Sequence, residues 1–318
     1  MNVADYTNFP GIWKDIGFDK SKNIFYKVRH NDDGWEKLFD LPAFKTADKI
    51  FVIDQECESH QYMKADNRIQ VWDSTISDHP RIHTYLFWFN WVREIEENMQ
   101  LCKNLLPIDS KSPHIFYDAL LGTLRPHKEF VLKKIKEFSM EQKFITGACA
   151  PHCLGFPSDY VYGGSYETGE WCVNYNEHQK ATVSSFVPYD IYNKTWYSLV
   201  CETRGNGNNL FFTEKLAKPL IAGRIFVLFG QHKQLHYLKQ LGFKTFDNII
   251  DESYDSESDD ILRYTQAWNQ IEFLMSQNPV EIYRQCSSVL EHNRSVIQNT
   301  NWYDILMKDM YEKANNMV

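Results

Sequence analysis

Trp196-Tyr197-Ser198-Leu199-Val200-Cys201-Glu202-Thr203-Arg204, the loop Gly205-Asn206-Gly207-Asn208-Asn209, and Leu210-Phe211-Phe212-Thr213-Glu214-Lys215-Leu216-Ala217-Lys218-Pro219-Leu220 form the stretch on which the fold turns. Trp196 to Glu202 is an aromatic and β-branched run of strand length that ends in an acid. Thr213 is a good helix N-cap, and Glu214 falls in the first turn, where a carboxylate meets the positive end of the helix. Thr213 to Ala222 therefore reads as a helix, and Arg224 to Gly230 as the next strand. The alternation extends both ways. Upstream, Ile115 to Leu121 reads as a strand, Pro126 to Phe138 as a helix and Lys143 to Gly147 as a strand. Downstream, Lys233 to Leu241 reads as a helix and Phe243 to Phe246 as a short strand. Strands and helices in strict turn are the signature of a doubly wound α/β sheet.

Open α/β sheets bind ligands outside the carboxyl ends of their strands. That rule singles out Glu202, Thr203 and Arg204 at one strand end and Gly230 at the next. Lys215 and Lys218 are three apart on one face of the capped helix, where ammonium groups and free N–H groups together suit an anion. Gly205 and Gly207 permit a close approach of backbone to ligand, although a glycine-rich hairpin tip explains them as well. Taken alone, the segment equally describes a capped amphipathic helix with exposed lysines.

At 318 residues the chain exceeds what one small core organises, so two compact lobes with a cleft between them are expected. Hydrophobic residues make up 43% and charged residues 24%, which excludes a disordered chain. The net charge of -8 is uneven: -5 over residues 1–110, +4 over 111–250 and -7 over 251–318. A positive middle suits a compact polyanion such as a diphosphate better than binding of nucleic acid over the whole surface. The acidic run Asp251 to Asp260 reads as a solvated loop opening a helix.

Seven cysteines scattered through a large chain read as reduced thiols, and Cys149 and Cys153 have no second pair at zinc-finger spacing, so no metal is expected. The apolar runs fall short of the roughly 20 residues that span a bilayer. Met1 to Gly11 lacks the order of a secretory signal, so a cytoplasmic location and no membrane partner are expected. In the first third, Lys49 to Asp54 reads as a strand ending in a carboxylate, and Thr84 to Cys102 passes from an aromatic run to helical spacing. Leu106 to Pro113, with prolines and serines, reads as a linker. The organisation expected is an acceptor-side lobe over 1–110, a nucleotide-sugar lobe over 111–265 and C-terminal helices over 266–318.

Glu202, then Phe212-Thr213-Glu214-Lys215, then Ala222-Gly223-Arg224-Ile225-Phe226-Val227-Leu228-Phe229-Gly230 resembles the donor motif of the alpha-1,3-fucosyltransferase-like glycosyltransferases. The resemblance covers roughly residues 113 to 265. It implies an inverting enzyme with two Rossmann-like lobes, the GT-B architecture, acting on a UDP- or GDP-sugar. Carried over, it implies Glu214 on the ribose and Lys215 on the diphosphate. It also implies a phosphate contact from a basic residue at the lobe's first helix, Arg125 or else Lys128. Glu202, Arg204, Thr213, Lys218 and His232 join these as donor-binding candidates. Asp118-Ala119-Leu120-Leu121-Gly122 with the following Arg125-Pro126-His127, Leu241 to Phe246 and Asp251 to Asp255 are similar to glycosyltransferase-like proteins of large tailed bacteriophages.

An inverting transfer needs a general base facing the phosphate-binding groups. Asp54 and Glu56, after the Lys49 to Asp54 strand, are the candidates, with Asp32 and Asp33 behind them. His152 reads as a structural residue. The phage resemblance implies hydroxymethylated cytosine in DNA as acceptor. Trp72, Trp88 and Trp91 would stack on a base taken out of the duplex, and Arg125, Lys133, Lys136 and Lys143 would form a basic groove. A cell-surface or soluble glycan is the alternative acceptor. A nucleotide-sugar-binding protein without catalysis is the reading outside the enzymes.

Overall fold

A computed structural model describes residues 23–28, 38–54, 66–73, 80–84, 92, 113, 115–122, 125–138, 144–148, 162–163, 172–176, 179–182, 187, 189–207, 210–302, 304–305 and 308. The chain is mixed α/β and falls into two compact units, one of Met1–Asn90, Asn209–Phe211 and Asn301–Val318, the other of Trp91–Asn208 and Phe212–Thr300.

The first unit holds a four-stranded sheet of β1 (Asn23–Val28), β2 (Lys49–Asp54), β3 (Ile69–Asp73) and β4 (Ile82–Thr84), in that order and parallel throughout. Its core gathers Ile24, Leu38, Ala47, Ile50, Val52, Ile69 and Val71, with Phe39 and Phe44 packed against them. The alternation of Ile50 and Val52 with Ile69 and Val71 is the period of a strand face. Arg68 ties the strand entrances together, donating to Phe44 O at 3.0 Å and Ala47 O at 2.7 Å while paired with Asp66 at 2.6 Å.

The second unit contains β5 (Ile115–Gly122), α1 (Pro126–Glu137), β6 (Phe144–Ala148), β7 (Tyr162–Gly163), β8 (Cys172–Asn176), β9 (Gln179–Thr182), α2 (Tyr189–Tyr192) and β10 (Thr195–Cys201). It continues through α3 (Glu214–Ile221), β11 (Phe226–Phe229), α4 (Gln234–Gln240), α5 (Asp260–Ser276) and α6 (Pro279–Asn299). Its main sheet is parallel, in the order β11-β10-β5-β6. From β5 the chain builds outward to β6, then returns to the other side of β5 with β10 and β11, the reversal that marks a doubly wound sheet. β7, β8 and β9 form a small antiparallel sheet of their own. Every residue of β11 is buried, and of β10 only Trp196 is not, as a parallel strand covered on both faces requires. Helix α5 packs on β11 and α1, and α6 on α3.

Toward the amino ends of these strands a buried ion pair fastens the sheet. Arg224 meets Asp118 of β5 at 2.9 Å, Ser198 Oγ at 2.9 Å and the carbonyls of Tyr192 and Thr195 at 2.7 and 3.0 Å. Its guanidinium also lies over the Tyr192 ring. Removing one partner would leave a buried charge, at a cost of about 3–5 kcal/mol. Arg224, part of the quoted donor pattern, is thus a fastening of the sheet.

Phe243 to Phe246 is not a strand. Asn293 accepts from Lys244 N at 2.8 Å and donates to Lys244 O at 2.9 Å, and Glu252 accepts from Phe246 N at 2.8 Å, so side chains take the place of a ladder. The acidic run is not a solvated loop throughout either. It forms a 3-10 turn at Glu252–Ser256 and turns Asp255 inward, where the carboxylate accepts from Leu235 N and His236 N and caps α4. Only its end behaves as expected, with Asp259 capping α5.

On the sheet face beneath α6, Tyr197 packs at 5.3 Å from Tyr117 and 6.1 Å from Tyr283. Tyr117 donates to Ile271 O and Tyr283 to Trp196 O, whereas the buried Tyr197 hydroxyl has no partner among the described residues. An unmet buried hydroxyl costs about 1–3 kcal/mol, so Tyr197→Phe should be neutral or stabilising, while Tyr283→Phe should lose about 1 kcal/mol. Urea unfolding of the two variants checks this. A Tyr197→Phe protein less stable than Tyr283→Phe would contradict it.

Candidate functional site

Because β5 and β10 are neighbours and parallel, the segments leaving their carboxyl ends meet where the strand order reverses. From β5 the chain enters α1 with Arg125 as N-cap in extended backbone and Pro126 in the first turn, where a missing N–H is harmless. His127, Lys128, Val131 and Ile135 form the buried face of α1. His127 and Lys128 are each only 2% exposed, so a histidine and a lysine stand where apolar residues would be expected.

His127 Nε2 lies 2.7 Å from the Glu202 carbonyl. Burial holds its pKa down at about 4, so near neutrality the ring is uncharged and Nε2–H donates to that carbonyl. Gly205 lies against the same ring: a Cβ there would come 2.4 Å from His127 Cγ, which only glycine avoids. Beyond Gly205 the loop is held from beneath. Arg263 Nη2 donates to Gly205 O at 2.8 Å and Arg263 Nε to Gly230 O at 3.1 Å. Tyr264 Oη donates to Gly205 O at 2.6 Å, and Gln231 Nε2 to Asn206 O at 2.9 Å. One buried arginine therefore joins the loops that follow β10 and β11.

Glu202 is fully buried directly after β10. Its carboxylate accepts from Thr213 N at 3.1 Å, Thr203 N at 3.2 Å and the Thr213 hydroxyl. The same Thr213 oxygen accepts from Lys215 N at 3.3 Å and caps α3. Burial pushes the Glu202 carboxyl up, against the opposing pull of Lys215 and Thr213. Lys215 Nζ lies 2.5 Å from Glu214 Oε1 and donates to Thr203 Oγ1 at 3.1 Å. Burial works to raise the Glu214 carboxyl, but Lys215 and Lys218 outweigh it and hold it below its ordinary value. Burial likewise works against the Lys215 ammonium, and Glu214 with Glu202 overcomes it.

Two further lysines are less well supported. Burial lowers Lys128 to about 8, with Lys215 and Arg125 pushing the same way. Burial lowers Lys218 to about 8, with Glu214 resisting. Through these mutual influences Arg125, Lys128, Glu202, Thr213, Glu214, Lys215 and Lys218 form one group at the carboxyl edge of the sheet. Arg204 follows in the loop, half-buried. His232 lies in the turn after β11, with Nε2 3.2 Å from Ser256 O.

In the first unit, Asp54 is the last residue of β2, paired with Val28 and Asp73. Glu56, Asp32, Asp33, His152, Cys149, Cys153, Lys143, Trp88 and Trp91 lie outside the described residues. Among the described residues no group of three or more His, Cys, Asp or Glu side chains is placed to hold a metal, and no helix is long and apolar enough to cross a membrane.

The sequence matches no family model and no curated protein. A solved structure, the crystal structure of an alpha1,3-fucosyltransferase, is similar at 13% identity and a TM-score of 0.39, with 79% of this chain and 82% of that chain covered. Likeness that slight fixes neither fold nor function, so the chemistry rests on the side chains themselves. Cations at the start of two helices, with a carboxylate among them, can hold a doubly charged anion whose other end carries hydroxyl groups.

Arg263 and Tyr264 are not among the residues the sequence singles out, and His127 enters there only within the Arg125-Pro126-His127 stretch, with no role of its own. His127 had a signal: it lies four residues before Val131 and eight before Ile135, on the apolar stripe of its helix. Arg263 had none for its place beside the site, because the Gly205 and Gly230 carbonyls it holds lie far along the chain.

Lysines lowered to about 8 keep their charge below that pH and lose it above, so an anion bound by them should be released as pH rises. Affinity for a nucleoside diphosphate should hold steady below about pH 7, then fall above pH 8 by up to about one log unit per pH unit for each lysine involved. Calorimetric titration from pH 6.5 to 9.5 reads it. Affinity flat across that range would remove Lys128 and Lys218 from the anion's surroundings.

Proposed function

We propose that the chain is a glycosyltransferase of the GT-B type that takes its sugar from a nucleoside-diphosphate sugar bound by the second unit. The observation that supports this most is the Glu214–Lys215 pair at the carboxyl edge beside the strand-order reversal, with Lys218 acting on Glu214 and with Arg125 and Lys128 acting on Lys215. The motif resemblance assigns the diphosphate to Lys215 and Arg125 or Lys128, and the ribose to Glu214. Glu202 enters as a positioning residue, since its carboxylate is buried on Thr213. Arg204 would reach the donor from the loop, and His232 would do so from the turn after β11.

In the transfer an acceptor hydroxyl attacks the anomeric carbon while the bond to the diphosphate breaks. Negative charge grows on the leaving phosphate, and fixed ammonium and guanidinium groups lower that barrier without reorganising. Cations supplied by the chain make a divalent ion unnecessary, so transfer should persist in a chelator. A carboxylate from the first lobe, Asp54 or Glu56, would take the hydroxyl proton, and attack opposite the leaving group would invert the anomeric centre. In this reading residues 1–110 serve the acceptor, 111–265 the donor, and 266–318 add helices.

The acceptor we favour is the hydroxymethyl group of a modified cytosine in phage DNA, in a host cytoplasm. That choice rests on the phage-type resemblance alone. Incubation with a panel of labelled nucleotide sugars, and with hydroxymethylcytosine DNA, unmodified DNA and oligosaccharides, tests both levels. Labelling of the modified DNA alone is expected. Labelling of oligosaccharide alone would replace the acceptor and keep the enzyme, and tight donor binding with no transfer would favour a binding protein.

Lys215→Ala should fold and lose about 10- to 100-fold in nucleoside-diphosphate affinity, the usual worth of a charge-assisted bond to phosphate. Titration of the folded variant checks it, and unchanged affinity would take Lys215 out of the site.

A further inference from the structure

Lys215 is engaged by groups of the chain itself. Its Nζ lies 2.5 Å from Glu214 Oε1 and 3.1 Å from Thr203 Oγ1, and the pair is mostly shielded, with the lysine side chain 22% and the glutamate 15% exposed. An anion can use this lysine at full strength only by drawing it off the glutamate. The glutamate is then left partly buried, beside the anion, with like charge facing it. A bare phosphate anion offers nothing in return. A ligand that brings hydroxyl donors along with its phosphates can satisfy the released carboxylate, because an ionised carboxylate only accepts.

We propose that Glu214 is a specificity-determining residue that acts by competition: it occupies Lys215 until a ligand supplies a phosphate for the lysine and a vicinal diol for the glutamate together. Simple phosphate anions are thereby kept out of a site built of cations. The ribose contact assumed here rests on the functional reading above, whereas the competition for Lys215 does not. Specificity of this kind works through penalising the wrong ligand, since a desolvated charge left unpaired costs more than the correct contact gains. Two neighbouring groups fit the arrangement. Lys218 helps hold Glu214 ionised, and Glu202 adds to the pull on Lys215 while its own carboxylate stays on Thr213.

The test is a double-mutant cycle on the full chain, with inorganic pyrophosphate as the bare anion and GDP and UDP as the diol-bearing ones, read by calorimetry. Glu214→Gln should bind pyrophosphate about tenfold more tightly than the parent, the change that 1.4 kcal/mol of released attraction produces. The same variant should bind neither nucleotide more tightly. In a Lys215→Ala background Glu214→Gln should bring no gain, because there is no lysine left to release. Glu214→Ala, read in the same way, covers the case in which the glutamine variant fails to fold. Unchanged pyrophosphate affinity overturns the proposal. So does a gain that survives in Lys215→Ala, since that would be general relief of negative charge. A parent protein that binds neither GDP nor UDP, with the pyrophosphate cycle as expected, would leave the competition standing and refute the nucleotide-sugar reading.

Discussion

The buried Glu202 carboxylate is the constraint on which the site depends. Placed after the last residue of β10 with no exposed surface, it must be fully hydrogen-bonded to be tolerated, and Thr213 meets most of that need with both its N–H and its hydroxyl. Those bonds fix the start of α3 against the end of β10. The Thr213 oxygen, its proton directed at Glu202, then presents a lone pair to Lys215 N and caps the helix. One carboxylate therefore determines where the helix begins, and with it where Glu214, Lys215 and Lys218 stand. Removing it would leave Thr213 without its partner and Lys215 without part of its electrostatic support.

Around that anchor the unit separates the charges that serve the fold from those at the candidate site. Arg224 with Asp118 and Arg263 with Gly205 and Gly230 are buried and held by several backbone carbonyls, so they serve the fold. Arg263 holds the loops after β10 and β11 in place beside the site. The charges at the candidate site are Lys128, Lys215 and Lys218, and burial weakens the first and the last of them. A ligand of opposite charge would restore what burial removes, and that difference is the source of its binding energy. The same burial makes an uncompensated anion selective, because every exchange of partner happens with little water to soften it.

Most of the second unit was legible in the sequence because its strands are apolar on both faces and its helices start at recognisable caps. Ile115 to Leu121 and Thr213 before α3, and in the first unit Lys49 to Asp54, are read from local pattern, and the structure places each within a residue or two. The cluster of Glu202, Glu214 and Lys215 was legible through strand-end position and a capped helix. What failed was whatever depends on distant partners. Phe243 to Phe246 has strand composition, but Asn293 and Glu252 saturate its backbone. Asp255 looks solvated in sequence, yet an uncapped helix start lies beside it. The Gly205 requirement comes from a histidine 78 positions earlier, which no local pattern encodes.

The place of a bound diphosphate decides whether this edge of the sheet is the donor site. A crystal structure of the chain saturated with GDP or UDP measures this directly. The expected result places the diphosphate at the start of α3, within hydrogen-bonding distance of Lys215 and of Arg125 or Lys128, with ribose hydroxyls on Glu214. A diphosphate bound out of reach of all of these side chains, with the Glu214–Lys215 pair intact, would contradict it.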